Sequence, residues 1–437
     1  MRSRSLSDIL RLGSLCLLAF HAAPAPATDT PARPPPRGSL DAGAPPAARF
    51  ALTPTLMYGG RLDARFFDEN AYNLADEAPT HGTVLQPVGA SLALLWQPGQ
   101  RFSVYTNLKL ETFAVLRENG LDIDGDPRLR LDKLYADWTS ARHDLLVRVG
   151  RQRVKDKREW LIDDTLDGIT LRHLYRSVVL EAGLWRERAF AEDLLSRDRA
   201  VKTDNFRLNL KGQHREDMHY AAYLFGQHDR QRDERALWLG VQMGGEWRDL
   251  DYWGNLALVG GNRRGRDVRG VGFDFGGIYR LRKHPRIYAI GGLAYGSGDD
   301  RSADLGFRQT GLQDNTAKLG GVTRMQYYGE VFDPELANMW ILTAGIGIRP
   351  IRDLSFNLVW HGFRQDVALD ELRDSDLDAE PDGDSRHLGQ ELDLVVGYRQ
   401  NRRFKLEAVL GRFLPGSAFS EDSTPATLVK LEARYNF

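Results

Sequence analysis

Strict alternation of apolar and polar residues is the main pattern along this chain, and the last eleven residues show it most clearly. Between Thr427 and Phe437, one face of an extended strand carries Thr, Val, Leu, Ala, Tyr and Phe, while the other carries Leu, Lys, Glu, Arg and Asn. A period of two residues predicts a β-strand. One apolar face, one polar face and a terminal aromatic residue are typical of a transmembrane strand between lipid and water.

Eighteen segments of the chain show this alternation. An even number of antiparallel strands is what a closed bacterial barrel requires. The gaps alternate between short turns, such as Pro98-Gly99 and His284-Pro285, and long loops, such as 59–83 and 297–337. We therefore predict an all-β fold, a single 18-stranded antiparallel transmembrane β-barrel with short periplasmic turns and long extracellular loops. The strands are expected at 50–58, 84–96, 101–116, 129–140, 143–154, 166–174, 177–185, 203–212, 217–227, 235–247, 250–261, 267–280, 286–296, 338–349, 351–363, 388–400, 402–414 and 425–437.

The start of the chain has a different composition. A charged N-terminus precedes a short apolar stretch at 9–20, followed by small residues and prolines. This order predicts a secretory signal peptide over residues 1–27. Residues 28–48 are rich in Pro and Ala, which predicts a disordered periplasmic leader before a barrel over 49–437. The predicted location is the bacterial outer membrane, which the chain would cross many times.

Composition narrows the class of partner. The 437-residue chain has a net charge of −1, which does not favour a nucleic-acid partner. Of its 59 basic residues, 49 are arginine. Arginine is well suited to planar, bidentate recognition of carboxylates, although genomic composition produces the same bias.

The phase of the alternation separates lumen from lipid. In segment 203–212, Phe206 and Leu208 are expected to face out and Asn209 to face in. Inward acids such as Glu391 and Asp393 nearly balance the inward cations, so a preference for anions requires the cations to gather at a constriction. The inward cations proposed to line the pore from phase alone are Lys109, Lys133, Arg148, Arg172 and Arg207.

Several motifs then occur in a recognisable order. They are Gly150-Arg-Gln-Arg153, the segment from Trp160 to Thr165, Gly296-Ser-Gly-Asp-Asp300, Phe307-Arg-Gln-Thr-Gly311, Gly329-Glu-Val-Phe332, the segment from Gly389 to Val396, and Phe413-Leu-Pro-Gly416. With them, residues 101–437 resemble the alginate-export family of outer-membrane porins. The resemblance implies a monomeric 18-stranded barrel that carries alginate, a polyuronate, outward through an arginine-rich constriction. It also implies that loops and a periplasmic turn close the pore, and that periplasmic synthesis and scaffold proteins are partners alongside outer-membrane lipid.

The resemblance assigns four further residues to the constriction: Arg151, Arg153, Asp163 and Asp164. Two alternatives stay open. Either arginine forms an ion pair with a loop at the barrel rim instead, or the two aspartates only cap a turn. Segment 402–414 departs from the family, because Lys405 and Glu407 stand where more arginine is expected.

The function predicted is passive export of an anionic polysaccharide, with alginate as the preferred polymer. One alternative is a general or uptake porin for anionic oligosaccharides. Another is a barrel enzyme that uses His173 or His361 with Asp163 or Asp164. The chain has no Gly-x-Ser-x-Gly elbow and no histidine pair at metal spacing, so we predict that it is not an enzyme.

No cofactor is expected. Three loop aspartates, Asp122, Asp124 and Asp126, are weak candidates for Ca²⁺, which prefers oxygen ligands. They lack the full pattern of a known calcium loop, and solvated loop acids are the preferred interpretation.

Overall fold

The computed structural model describes residues 48–76, 79–112, 114–117, 120–122, 127–142, 144–191, 193–195, 203–214, 218–401 and 403–437. The predicted signal peptide and nearly all of the predicted leader lie outside these residues, and so do Asp124 and Asp126. In the described part of the chain, no helix is long and apolar enough to span a membrane.

Eighteen antiparallel strands form a closed barrel, which confirms the predicted fold class. Each strand pairs with the next in the chain, and β1 pairs with β18 from Arg61↔Asn436 to Asn70↔Thr427, so no strand edge is left open. The strands are β1 Leu56–Asn70, β2 His81–Trp96, β3 Phe102–Glu111, β4 Arg128–Thr139, β5 Leu145–Lys155, β6 Asp163–Tyr175, β7 Val178–Arg186, β8 Thr203–His214, β9 Met218–Asp229, β10 Glu234–Trp247, β11 Leu250–Arg263, β12 Arg266–Lys283, β13 Arg286–Gly296, β14 Met339–Ile351, β15 Leu354–Gln365, β16 His387–Gln400, β17 Phe404–Pro415 and β18 Ala426–Asn436.

The predicted bounds of the first strand were wrong. A short strand, Phe50–Thr53, folds back on the start of β1, and β1 itself covers much of the predicted loop 59–83. The high density of charged residues in this segment is typical of a loop. In the barrel, however, Asp63 forms ion pairs with Arg61 and Arg65 on the inner face, which makes the charges compatible with a strand.

The two faces of the strands are as different as the alternation indicates. Leu208 on β8 is exposed on the outer surface, whereas its neighbours Arg207 and Asn209 are buried inside the barrel. Trp96, Trp138 and Trp340 are exposed near strand ends, as in the aromatic girdles of membrane barrels.

The end of the β5–β6 hairpin that leads into residues 156–162 separates from the barrel wall. Pairing of β4 with β5 ends at Leu134↔Arg151, whereas β5 and β6 stay paired to Lys155↔Asp163. Gly150 allows the change of direction, because its φ is 124° and a Cβ there would lie 2.2 Å from the carbonyl oxygen of Leu134.

Loop L3, residues 156–162, continues this hairpin across the barrel interior. Asp156 accepts a hydrogen bond from Gln242 on β10, and the guanidinium of Arg158 lies 4.0 Å from the ring of Trp253 on β11. L3 therefore extends through the lumen from β5 to the wall at β10 and β11.

Loop L7, residues 297–338, also folds into the barrel. The side-chain amides of Gln309 and Asn357 donate to the backbone oxygens of Trp160 in L3 and Leu319 in L7. The carboxylate of Glu391 on β16 accepts the backbone N–H groups of Val331 and Phe332 at 2.8 and 3.0 Å. L3, L7 and the facing strands share one buried apolar cluster, so the two loops form a plug inside the barrel.

Candidate functional site: the cationic lumen

The site is the part of the lumen that the plug leaves accessible to water. Arg65 and Lys211 on the wall strands, and Arg324 on L7, have side chains directed into the barrel. About a third or more of each side-chain surface is nevertheless exposed. Water thus reaches charged side chains on both the wall and the plug.

Glu181 on β7 is the centre of the most concentrated group of cations. Its buried carboxylate lies 2.6 Å from Nε of Arg172 and 3.3 Å from Nζ of Lys211, and it also pairs with Arg207. Three cations share one carboxylate, so the group carries excess positive charge. Arg172 and Arg207 are two of the residues that the alternation places inside the barrel.

A second group forms around Asp132 on β4. Nζ of Lys109 and Nζ of Lys133 each lie 2.8 Å from its carboxylate. The pairing of β3 with β4 shifts register at Asn107, and this bulge lets Asp132 and Lys133 both reach the lumen. Again the cations outnumber the acid.

A third group spans the barrel closure. Three wall carboxylates in this group form ion pairs with five cations. Counted with the groups around Glu181 and Asp132, ten cations form ion pairs with five wall carboxylates. The sequence prediction missed the cations of β1, because most of that segment was assigned to a loop. The charged residues at every second position are the pattern that indicates a strand there. The members are Asp63, Glu407 and Glu432 with Arg61, Arg65, Lys405, Lys430 and Arg434.

Arg148 lies on the inner face of β5. Its Nε and Nη2 donate to the carboxylate of Asp137 at 2.7 and 2.8 Å, and the guanidinium stacks 3.9 Å from the ring centroid of Tyr135. This bidentate pair is neutral overall, so Arg148 adds less to the excess of positive charge than Arg172 does.

Arg151 has a structural position, contrary to the role that the resemblance assigns to it. Its guanidinium donates to the carboxylate of Asp167 and to the backbone oxygens of Leu131, Phe190 and Ala191. These bonds use all five guanidinium N–H donors. Arg151 therefore holds the first part of loop L4, residues 187–191 after β7, at the point where β4 and β5 separate.

Arg153 has a different environment, two residues further along the hairpin. Its side chain is 46% exposed, against 5% for Arg151, and it pairs with Asp163. Glu159 of L3 and Asp314 of L7 complete a carboxylate cluster with Asp163.

This carboxylate cluster is already neutralised by protein cations. Arg324 and Lys155 pair with Glu159, in addition to the Arg153–Asp163 pair. Burial and the neighbouring charge of Asp163 raise the pKa of Asp314. The cluster thus holds L3 and L7 together through arginine and carries no metal assignment.

Asp164 lies within β6, where it pairs with Val154 on β5. Its carboxylate accepts the N–H of the next residue, Thr165, at 2.6 Å, which is a local contact within the strand. Asp122 lies on a short described strand whose side chains are not described.

The two histidines of the enzyme alternative have structural partners of their own. His173 contacts the backbone oxygen of Asp144 at 3.0 Å, near the end of β6. His361 is buried against Thr343 on β14, with Nδ1 and Oγ1 3.0 Å apart. Asp163 pairs with Arg153, and its N–H donates to the carbonyl oxygen of Leu312 in L7, so its contacts are with the hairpin and the plug.

Loss of the Arg151 clamp is expected to destabilise the barrel without changing its ion selectivity. Arg151→Ala leaves Asp167 buried and unpaired, which costs about 3–5 kcal/mol. Arg153→Ala is the matched variant and is expected to lower anion selectivity with a smaller loss of stability. Heat-dependent unfolding on gels and reversal potentials in bilayers measure the two effects. A loss of selectivity in Arg151→Ala would place its guanidinium in the ion path.

A closed barrel with an apolar exterior and a charged lumen defines the class as an outer-membrane β-barrel of the porin type. The fold is similar to that of OccK7 (OpdD) from Pseudomonas aeruginosa, with a TM-score of 0.59 and 12% identity over 88% of this chain and 99% of that chain. OccAB4 from Acinetobacter baumannii gives a TM-score of 0.55 and 10% identity over 88% and 99%. The outer membrane protein OpdK from Pseudomonas aeruginosa gives 0.53 and 10% over 87% and 98%. At this level of identity the likeness concerns the fold alone.

Sequence comparison identifies the family. The family model described as Alginate export matches residues 56–428, so the chain belongs to that family, as the motif order indicates. It is 27% identical to alginate production protein AlgE of Pseudomonas aeruginosa over 192 residues, which are 38% of this chain and 39% of that protein. It is 33% identical to alginate production protein AlgE of Azotobacter vinelandii over 109 residues, 23% and 22% of the two chains. The aligned segments thus span well under half the length of either relative.

Proposed function

We propose that this protein is a passive outer-membrane pore that exports an anionic exopolysaccharide, alginate or a closely related polyuronate. The observation that carries the proposal is that five cations share two carboxylates, Glu181 and Asp132, on the lumen wall of an Alginate export barrel. Each uronate residue carries one carboxylate, the ligand that such a lumen is suited to receive.

The ion-pair networks support weak, exchangeable binding. Glu181 already satisfies part of the donor capacity of Arg172, Arg207 and Lys211. A uronate carboxylate would gain a charge-assisted hydrogen bond to the exposed ammonium of Lys211, while Glu181 would limit its affinity. A pore needs this balance, because a polymer held too tightly would not leave.

The plug supports passage of a thin chain rather than of bulky solutes. L3 and L7 fill part of the barrel interior, and the cation groups around Glu181 and Asp132 lie on the wall strands β3–β8. An extended polyuronate would pass between these surfaces. Synthesis behind the polymer would supply the driving force, with periplasmic synthesis and scaffold proteins as the proposed partners of a monomeric barrel.

Neutralising three partly exposed lumen cations tests the proposal. The triple variant Lys109→Gln, Arg172→Gln and Lys211→Gln is expected to lower the anion-to-cation permeability ratio. It is also expected to weaken block by oligouronates about tenfold or more, because one hydrogen bond to a charged group contributes about 1.5–3 kcal/mol. Planar-bilayer recordings measure both quantities.

The matched control neutralises three cations of the extracellular loops, Arg230, Arg232 and Arg301, whose side chains are all exposed. This control should retain selectivity and block. Equal effects of the two triple variants would indicate a general surface-charge effect and would contradict a specific uronate path.

Direction of transport has a separate test in cells that make the polymer. Deletion of the gene should leave uronate polymer in the periplasm if the pore exports it. Unchanged secretion would favour an uptake or general porin.

A further inference from the structure

The periplasmic mouth of the barrel carries a second set of cations, which adjoins the group around Glu432 and shares Lys405 and Arg434 with it. It lies at the end with the short turns 284–285, 352–353 and 401–403. Three of its members are Lys318 at the tip of L7, Arg349 on β14 and Arg399 on β16. Among the described residues, none of these three has an ion pair, unlike the cations deeper in the lumen.

Strand register places these cations in rows. Arg286 on β13 lies directly opposite Arg349, and Arg399 lies directly opposite Lys405 on β17, which in turn faces Arg434 on β18. Side chains of directly opposed residues lie about 4.5–5.5 Å apart at Cβ, and like charges in such positions destabilise a sheet. Carboxylates offset part of this repulsion, because Arg286 pairs with Asp251 and Lys405 pairs with Glu407 and Glu432. Arg349 and Arg399 have no ion pair within the described part of the chain, so their charges are available to an anionic ligand.

The tip of L7 lies between the two rows. The backbone N–H of Val322 donates to Oγ of Ser355 at 3.0 Å, and the side-chain amide of Asn357 donates to the carbonyl oxygen of Leu319 at 3.3 Å. Ser355 and Asn357 are among the first four residues of β15, the strand between the rows. Lys318 precedes Leu319 and is exposed there.

Electrostatics agrees with this placement. Partial burial lowers the pKa of the Lys318 ammonium, and the positive charges of Arg399, Arg349 and Arg324 lower it further. Lys318 thus lies close enough to Arg349 and Arg399 for the three charges to act on one ligand.

We propose that Lys318, Arg349 and Arg399 form a capture site that binds carboxylates of an incoming polyuronate at the periplasmic mouth, before the polymer reaches the lumen. This inference rests on the proposed function and names its entry point. Several carboxylates along one polymer can engage the rows together, so weak contacts add up through multivalency. The periplasmic turns described here are short, the three above having at most three residues, which leaves this mouth accessible to a polymer.

Side-specific block in planar bilayers tests the site. Purified oligouronate is added to one side at a time, to wild-type channels and to the triple variant Lys318→Gln, Arg349→Gln and Arg399→Gln. The rate of blocking events from the periplasmic side should fall about tenfold, as expected for loss of electrostatic steering. The rate from the extracellular side should be unchanged.

The control is the triple variant at Arg230, Arg232 and Arg301, which should keep the wild-type rate from the periplasmic side. Gel mobility before and after heating shows whether each barrel is folded. Suppose that oligouronate blocks wild-type channels, but the triple variant keeps the wild-type blocking rate from the periplasmic side, or its rate falls equally from both sides. Either result would contradict the capture site and leave the proposed function standing. If wild-type channels are never blocked by oligouronate, the proposed function fails and the capture site fails with it.

Discussion

Replacing residues 316–326 of L7 with two glycines is expected to raise single-channel conductance several-fold while leaving the barrel folded. These residues form a small hairpin in which Thr316 pairs with Gln326 and Ala317 with Met325. The N–H of Tyr327 already donates to the carbonyl oxygen of Asn315 at 3.0 Å, so two glycines between them complete a four-residue turn. The deletion removes the Arg324–Glu159 ion pair, but Gln309 and Thr310 keep their hydrogen bonds to L3, and the N–H groups of Val331 and Phe332 keep theirs to Glu391.

The expected rise follows from the position of the hairpin tip at the base of β15, inside the periplasmic mouth. The double variant Lys318→Gln and Arg324→Gln is the matched control, because it removes the charge of the tip but keeps its volume. It should change ion selectivity more than conductance. Wild-type conductance in the shortened protein would show that the hairpin does not occupy the ion path.

Glu181→Ala is expected to be among the most destabilising single substitutions in the lumen. Its side chain is fully buried and pairs with Arg207, which is only 2% exposed. Without the carboxylate, the guanidinium of Arg207 stays buried beside Arg172 and Lys211 with no opposing charge. Breaking a buried ion pair in this way costs about 3–5 kcal/mol. Urea-dependent unfolding in detergent or lipid measures the loss.

Asp204→Ala provides the comparison for this prediction. Asp204 also pairs with two arginines, Arg186 and Arg230, but its side chain and theirs are exposed to solvent. Exposed ion pairs contribute about 0–1 kcal/mol, so this variant should remain close to wild type. Similar losses in the two variants would mean that burial of Glu181 is not what makes its ion pairs important.

The barrel was predictable because the two faces of each strand meet different solvents. Lipid selects Leu208 and Leu358, and the lumen selects Arg207 and Asn357, so alternation alone fixes the phase. β1 was placed wrongly because its inner face pairs charge with charge. Single-sequence reasoning cannot see that the ion-pair partner of Arg65 is Glu432, at the other end of the chain.

The site was less predictable, and the two arginines of one motif show why. Alternation from Arg148 puts Arg151 and Arg153 on the outer face of β5, whereas the family resemblance puts both at the constriction. In the structure, loop L4 covers Arg151, while the hairpin turns away from β4 and leaves Arg153 exposed beside L3. The chain changes direction at Gly150, and this gives Arg151 and Arg153 different environments. The local sequence pattern does not predict that change of direction.

The folding of L3 and L7 into the barrel could not be predicted from the residue pattern either. Their contacts join residues far apart in the chain, such as Trp160 with Tyr328 and Glu391 with Val331. Their motifs were recognised only through the family resemblance. The reason that a buried Glu391 is needed, as an acceptor for two backbone N–H groups of L7, emerges only from the fold.

The most direct test of the proposed function is planar-bilayer conductance of the purified wild-type protein, with ion selectivity and block measured for oligouronates and for neutral glucans of equal length. The lumen described here predicts an anion-selective channel that oligouronates block and neutral glucans do not. A channel without anion selectivity, or one blocked equally by both sugars, would contradict a polyuronate pore.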